Sequence, residues 1–430
     1  MFKLSQKYIF PHFIRGFITF LLCLLSITPQ ADPIPSGYFS QNFEVVGYSD
    51  LNQKPGFKIT VKESNGKWYL YLGHFWDSGW TILNVTDPKN PKVEKFLPGP
   101  SNTWTLQVDQ TDNTLITALE KIPPSWGGKP NQPNDEGVLI WSLKDPLNPK
   151  QLGQYKTEGS GTHRNGYQGG KYMHLAAGYP GFDGNIYSIV DISDPAKPTE
   201  VSRWWLPGQN KAKGETYGKD IVGKPSLHGP PVIQGNYAFL TYGSAGMIIL
   251  DISDVTKPRF VSRLSFSPPF VEDIGVHTIV PDMRRKVAFI NSEAIQNQCK
   301  EPLGHTSVVD ISNIEKPRLI SMFPLPQTPP NFPVTNFCEF GGRFGAHNQH
   351  QLFHNPDVQP LGNYIYLTYF NAGLRVYDVS DLKNPQEVAY FIPPQPTKRY
   401  GPIPADKLVE QTEDVLVDAR GYAVSYTHLT

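Results

Sequence analysis

Along most of the chain, short apolar runs rich in β-branched residues alternate with clusters of Asp, Asn, Ser, Gly and Pro, a rhythm that predicts strands and tight turns. One phrase returns six times: Thr81–Pro91 (TILNVTDPKNP), Val138–Pro149 (VLIWSLKDPLNP), Tyr187–Pro198 (YSIVDISDPAKP), Met247–Pro258 (MIILDISDVTKP), Thr306–Pro317 (TSVVDISNIEKP) and Leu374–Pro385 (LRVYDVSDLKNP). In each, an apolar run meets a polar residue, usually Asp, then a short turn and a Pro. A second strand-like run follows, as in Phe260–Phe266 and Val388–Ile392. The turn chemistry is local: Asp and Ser side chains accept from nearby backbone N–H groups, and Pro pre-sets φ. Each phrase reads as one β-hairpin, and copies begin about 50 to 70 residues apart, the spacing of a sheet-per-repeat array.

Two further runs upstream, such as Pro231–Gln234 and Ala238–Tyr242 before Met247, complete a unit of about four antiparallel strands, a propeller blade. Six complete units run from about Phe57 to about Pro394. Phe43–Asp50 (FEVVGYSD) has the pattern of a last strand, and Glu413–Ala423 (EDVLVDARGYA) that of a first strand and the start of a second. Paired, they make a seventh blade split between the two ends, leaving no exposed edge. The expected fold is all-β: a seven-bladed β-propeller of four-stranded antiparallel blades, closed by the N-terminal strand and incomplete at the C-terminus. Val424–Thr430 (VSYTHLT) fits neither the rest of a second strand nor a third, so residues 424–430 are expected to be a non-native or truncated tail, with His428 outside any site.

The hairpin phrase resembles the LVIVD repeat, named for that strand. The resemblance covers nearly all of residues 32–423 and implies a β-propeller; it implies no particular reaction.

Composition changes the picture in two respects. The 37 Gly and 41 Pro suit a loop-rich β protein, and 39 basic against 39 acidic residues leave no nucleic-acid footprint. At the N-terminus, Lys3, Lys7 and Arg15 precede the apolar stretch Gly16–Ile27, with a cleavage position near Ala31. Residues 1–31 therefore read as a signal peptide rather than a membrane span, which predicts a secreted or periplasmic protein without a span after cleavage. Cys23 would leave with the leader. Cys299 and Cys338 remain, in loop-like stretches of neighbouring units, as one disulfide or as two independent thiols.

The candidate chemistry lies in the histidines. His163, His228, His277 and His347 stand at the same place, the start of the first strand, in four successive units. The equivalent places in the second and seventh units hold Trp104 and Glu413. First strands line the axis of a propeller, so these side chains are expected to converge. Four neutral imidazoles suit a transition ion such as iron, copper or zinc, with carboxylates behind them; Asp273, Glu293 and Glu413 are the candidates. The one-His-per-blade layout is similar to the four-histidine iron site of carotenoid cleavage oxygenases and to the axial histidines of selenium-binding protein, the methanethiol oxidase family. No other motif of either family is present. The competing reading is a structural or substrate-binding ring bonded to carbonyls or channel water. His350, His354 and His174 read as packing residues.

Strand direction places the turns between second and third strands, and the links between units, on the face where these histidines lie. The long segments Lys121–Glu136, Gln209–Leu227, Gln327–Ala346 and Pro393–Gln411 belong there. A small molecule or an envelope ligand is expected to meet His74, Trp104, Arg164, Tyr179, Asp183, Tyr242, Glu293, Arg343, Asn371 and Glu413 on that face, in a monomer. Nucleophile-elbow, phosphate-loop, dinucleotide and H-E-x-x-H motifs are absent. Three functions stay open: a metal-dependent oxidoreductase, a non-catalytic binding propeller, and a hydrolase or lyase using loop carboxylates.

Overall fold

The computed structural model describes residues 1–4, 31–223, 225–266 and 274–428. Most of the leader reading therefore lies outside the described residues, as does Asp273. The chain forms a propeller-like arrangement of small antiparallel sheets. Five sheets have four strands each. A sixth has nine, because two four-stranded meanders and the short strand Thr103–Trp104 join through the pairing of Glu120 with Gly161. Gly56–Ser64, Lys67–His74, Gly79–Asn84 and Lys92–Pro98 make one such sheet, in simple up-and-down order.

In all six repeat phrases the apolar run forms the third strand of its unit and the turn leads into the fourth, and each pair carries a register shift at the same place, for example between Ile189 and Val190 and between Ile249 and Leu250. The Asp that ends the third strand caps its own turn: Asp191, Asp251, Asp310 and Asp378 accept from the backbone N–H groups of Ser193, Ser253, Ser312 and Ser380. Neighbouring units are then stapled by a device that the sequence reading did not foresee. Ser202, Ser262 and Ser321, on fourth strands, each donate at 2.6 Å to a carbonyl in the next unit's turn, those of Val255, Ile314 and Leu382. Apolar faces interlock between sheets: Phe239 and Ile249 pack with Ile279, Ile290 and Val309 of the following sheet, all buried. Side chains of this size each contribute roughly 1.5–3 kcal/mol on burial.

The chain ends meet as the sequence predicts. Gln411–Val417 pairs with Ala423–His428, and Phe43–Val45 lies at the far edge of the same sheet. Two features differ. The backbone of the segment expected to be a tail continues the second strand as far as His428. The third position, which the repeat pattern leaves vacant, is taken by Phe2–Leu4, between Ala423–His428 and Phe43–Val45. A further short strand, Phe39–Gln41, adds to the outer side of Gln386–Ile392. No described helix is long and apolar enough to cross a membrane.

Candidate metal centre

A recurring bulge aims side chains at the axis. Where the first strand of a unit pairs with the second, the register slips between Gly56 and Ile59, Thr162 and Arg164, Ile274 and Thr278, and Thr412 and Asp414. His163, His277 and Glu413 are residues within those slips. An extra residue in one strand bends it and redirects its side chain, which accounts for their turning inward together. His228 and His347 are placed by a second device. Their N–H groups donate to the carbonyls of Thr241 and Thr368, and the next residues, Gly229 and Asn348, donate to the hydroxyls of the same threonines.

The four histidines converge as expected. Ring centroids follow one another at 4.3 Å from His163 to His228, 5.3 Å to His277 and 4.6 Å to His347. Three rings have Nδ1 on an acceptor. His163 Nδ1 lies 2.9 Å from Glu120 Oε2. His277 Nδ1 lies 3.2 Å from the His347 carbonyl and 2.7 Å from the Thr278 hydroxyl. His347 Nδ1 lies 2.9 Å from both the backbone and a carboxylate oxygen of Glu413. A proton on Nδ1 leaves the Nε2 lone pair for the interior, the arrangement that outer carboxylates and carbonyls impose on metal-binding imidazoles. His228 Nε2 meets His163 Nε2 at 3.3 Å and Glu293 Oε2 at 3.0 Å.

Glu293 sits at the centre of the cluster. Its carboxylate is 3.0 Å from His228, 3.4 Å from His277 and 3.7 Å from His347, and the Arg343 guanidinium approaches it at 3.2 Å. Arg343 also pairs with Glu413 at 2.7 Å and lies over the ring of Phe370. Burial, with His163 adding, pushes His228 down to about 4, and burial drives His277 well below its ordinary value. Both rings are therefore neutral near pH 7, the ligand form. Ligand atoms of His228, His277 and Glu293 all lie within 4.8 Å of one another, a grouping able to hold a metal ion. His347 Nε2 is buried with no hydrogen-bond partner among the described residues, as a lone pair kept for an ion would be. Two contacts oppose: His163 Nε2 and His228 Nε2 face each other at 3.3 Å, and the Arg164 guanidinium donates to His277 Nε2 at 3.0 Å, so these three rings ligate only when those contacts open.

Of the other residues expected here, Arg164, Glu293, Arg343 and Glu413 adjoin the histidines. Trp104 belongs to an aromatic cluster with Phe57, Phe75 and Trp126, and Phe57 lies 5.8 Å from the His347 ring. The rest are engaged locally. His74 is fully buried between the Pro55 carbonyl and the Thr81 hydroxyl. Tyr179 bonds Ser188 and Tyr155, Asp183 accepts from Tyr217, Tyr242 packs on Trp204, and Asn371 donates to the carbonyls of Phe337 and Gly341. Glu120 and Phe370 were not anticipated. Glu120 had a signal: it lies at the end of a second strand, one residue before Lys121 and opposite Trp104, much as Glu293 ends its strand opposite Ile274 and His74 opposite Gly56. His350, His354 and His174 are packing residues, bonded to the Gln359 carbonyl, Asp109 and the Tyr187 hydroxyl. Cys299 and Cys338 form a disulfide, which leaves the two-thiol alternative aside.

Residues 178–204, 232–265 and 355–391 match the LVIVD repeat. No curated protein is similar to the chain in sequence. Among solved structures, the periplasmic gluconolactonase of Pseudomonas aeruginosa is 13% identical, aligns over 84% of this chain and 96% of its own, and superposes with a TM-score of 0.54, which shows the shared fold alone. The β-propeller domain of Cps50 from Myceliophteria thermophila (12% identity, 87% and 100% coverage, TM-score 0.48) and a hypothetical selenium-binding protein from Sulfolobus tokodaii (12%, 76% and 75%, 0.46) are more distant.

Proposed function

We propose that this LVIVD-repeat protein is a secreted or periplasmic seven-bladed propeller that holds a transition metal at His163, His228, His277 and His347 and acts as a metal-dependent oxidoreductase on a small molecule. The blade count is supported by the sheets: five of four strands, and one of nine that divides into two four-stranded meanders and a short strand. The observation that carries the metal reading is the fixing of Nδ1 on three rings by Glu120, the His347 carbonyl and Glu413, which turns the Nε2 atoms of His277 and His347 toward Glu293 and that of His163 toward His228. An iron or copper ion there would supply one-electron chemistry, and zinc would supply Lewis acidity. The chain's own residues set the conditions. Glu120 and Glu413 orient imidazoles, Glu293 and Glu413 balance the charge of Arg343, and Phe57 and Phe370 shield one side of His347.

Cobalt(II) titration tests this reading. Intense visible bands at one equivalent, absent in His277→Ala, are expected; a spectrum unchanged from aqueous cobalt(II) contradicts it. A second reading, a binding propeller with a hydrogen-bonded histidine ring, is favoured by the Arg164–His277 contact and predicts that aqueous spectrum.

A further inference from the structure

Beside the histidines, and separate from them, the inner strands enclose an axial cavity of about 500 Å³, within the range of metabolite sites. None of the four clustered histidines lines it. Arg164 does, and stands between the cavity and His277. The cavity extends to Gln168 and Gly235, in turns that join first to second strands, and Gly235 is exposed to solvent. It is therefore reached from the face opposite the long loops, contrary to the sequence expectation that binding concentrates on the loop face.

We infer that this cavity binds a small organic carboxylate, anchored by Arg164. The formal charges lining it are Lys58 and Arg164 against Asp109. Lys58 is paired with Asp414 at 2.9 Å, and Asp109 accepts from His354 and from the Tyr167 backbone. Among the described residues Arg164 makes no direct ion pair, Glu293, Glu120, Glu413 and Asp414 acting on it only from further off: its Nη2 donates to His277, and its Nε and Nη1 are buried without a hydrogen-bond partner. Such a guanidinium is satisfied by a planar, two-oxygen acceptor. The remaining polar lining has the same bias. Gln107 Nε2, Asn165 Nδ2 and Gln351 Nε2 are partnerless donors, against two partnerless acceptors, Asn165 Oδ1 and Gln351 Oε1. A molecule rich in acceptors, with one hydroxyl or N–H of its own, meets that set. Val232, Ile279 and Leu352 supply apolar wall for an aliphatic body.

The inference does not require an ion at the histidines, so its test uses full-length protein stripped of metal. Calorimetric titration with succinate, malate and glutarate is compared with succinamide, the uncharged analogue. Binding of at least one acid is expected, with succinamide about tenfold or more weaker. Arg164→Gln is expected to weaken the acid about tenfold, and Gln351→Leu, which keeps the charge, to weaken it several-fold if the first variant does not fold. The inference is overturned by no heat from any acid at about 10 mM, by equal affinity for succinate and succinamide, or by undiminished binding in every variant that folds. Failure here leaves the cobalt result untouched, and the converse holds.

Discussion

His347 Nδ1 stands 2.9 Å from the Glu413 carboxylate, a contact that ties the sixth repeat unit to the C-terminal strand and orients one of the proposed ligands. The same carboxylate holds Arg343 at 2.7 Å. Glu413→Gln keeps the shape and loses the charge. Losing an outer-shell partner typically costs about 10–100-fold in metal affinity, and that loss is expected in chelator competition, together with a lower melting temperature because Arg343 loses one of its two buried carboxylate partners. Unchanged affinity would separate Glu413 from the metal.

Arg164 predicts two effects of opposite sign. Its guanidinium occupies the His277 lone pair at 3.0 Å and places a positive charge where a cation would come. Arg164→Gln is therefore expected to tighten metal binding about tenfold by chelator competition while weakening carboxylate binding. A variant that weakens both would show that Arg164 supports the ring instead of competing for it.

Acid should destabilise the fold through its packing histidines. Burial pushes His74, His174, His305 and His350 each down to about 4, against an unfolded value near 6.5. The folded state resists their protonation and the unfolded chain accepts it, so their stability contribution is full above pH about 6.5 and is lost as pH falls toward about 4. Each contributes a slope of about 1.4 kcal/mol per pH unit in that window. Denaturant midpoints between pH 7.5 and 4.5 should fall steadily, and His174→Phe should flatten the slope by one proton. A midpoint constant from pH 7 to 5 would contradict this.

The Cys299–Cys338 disulfide closes a sequence separation of 39 residues. Chain entropy for such a loop is worth about 4 kcal/mol. Beside it, Gln298 N–H donates to the Gly342 carbonyl and Asn297 bridges Arg343, which reaches Glu293. Cys299→Ser with Cys338→Ser is expected to lower the melting temperature and to weaken metal binding through Arg343. Equal melting in reduced and oxidised protein would remove the disulfide from the stability account.

Much of this was legible because the repeat sets a register. Aligning first strands brought out His163, His228, His277, His347 and Glu413 without any fold in hand, and the structure assembles all five. Glu120 could have been found by applying the same alignment to the ends of second strands. The bulges that turn His163 and His277 inward were not legible, since one additional residue in a ladder leaves no mark on composition or periodicity. Phe2–Leu4 was hidden for a different reason: Lys3 within it reads as the basic start of a leader, a segment set apart from the fold. The cavity was missed because it depends on which polar atoms lack partners, a property of packing rather than of pattern.

The most direct test of the central claim is metal content by plasma mass spectrometry, on full-length protein and on a His228→Ala, His277→Ala variant, before and after reconstitution. About one equivalent of iron, copper or zinc is expected in the parent and none in the variant. No metal in either after reconstitution would contradict it and leave a histidine ring without an ion.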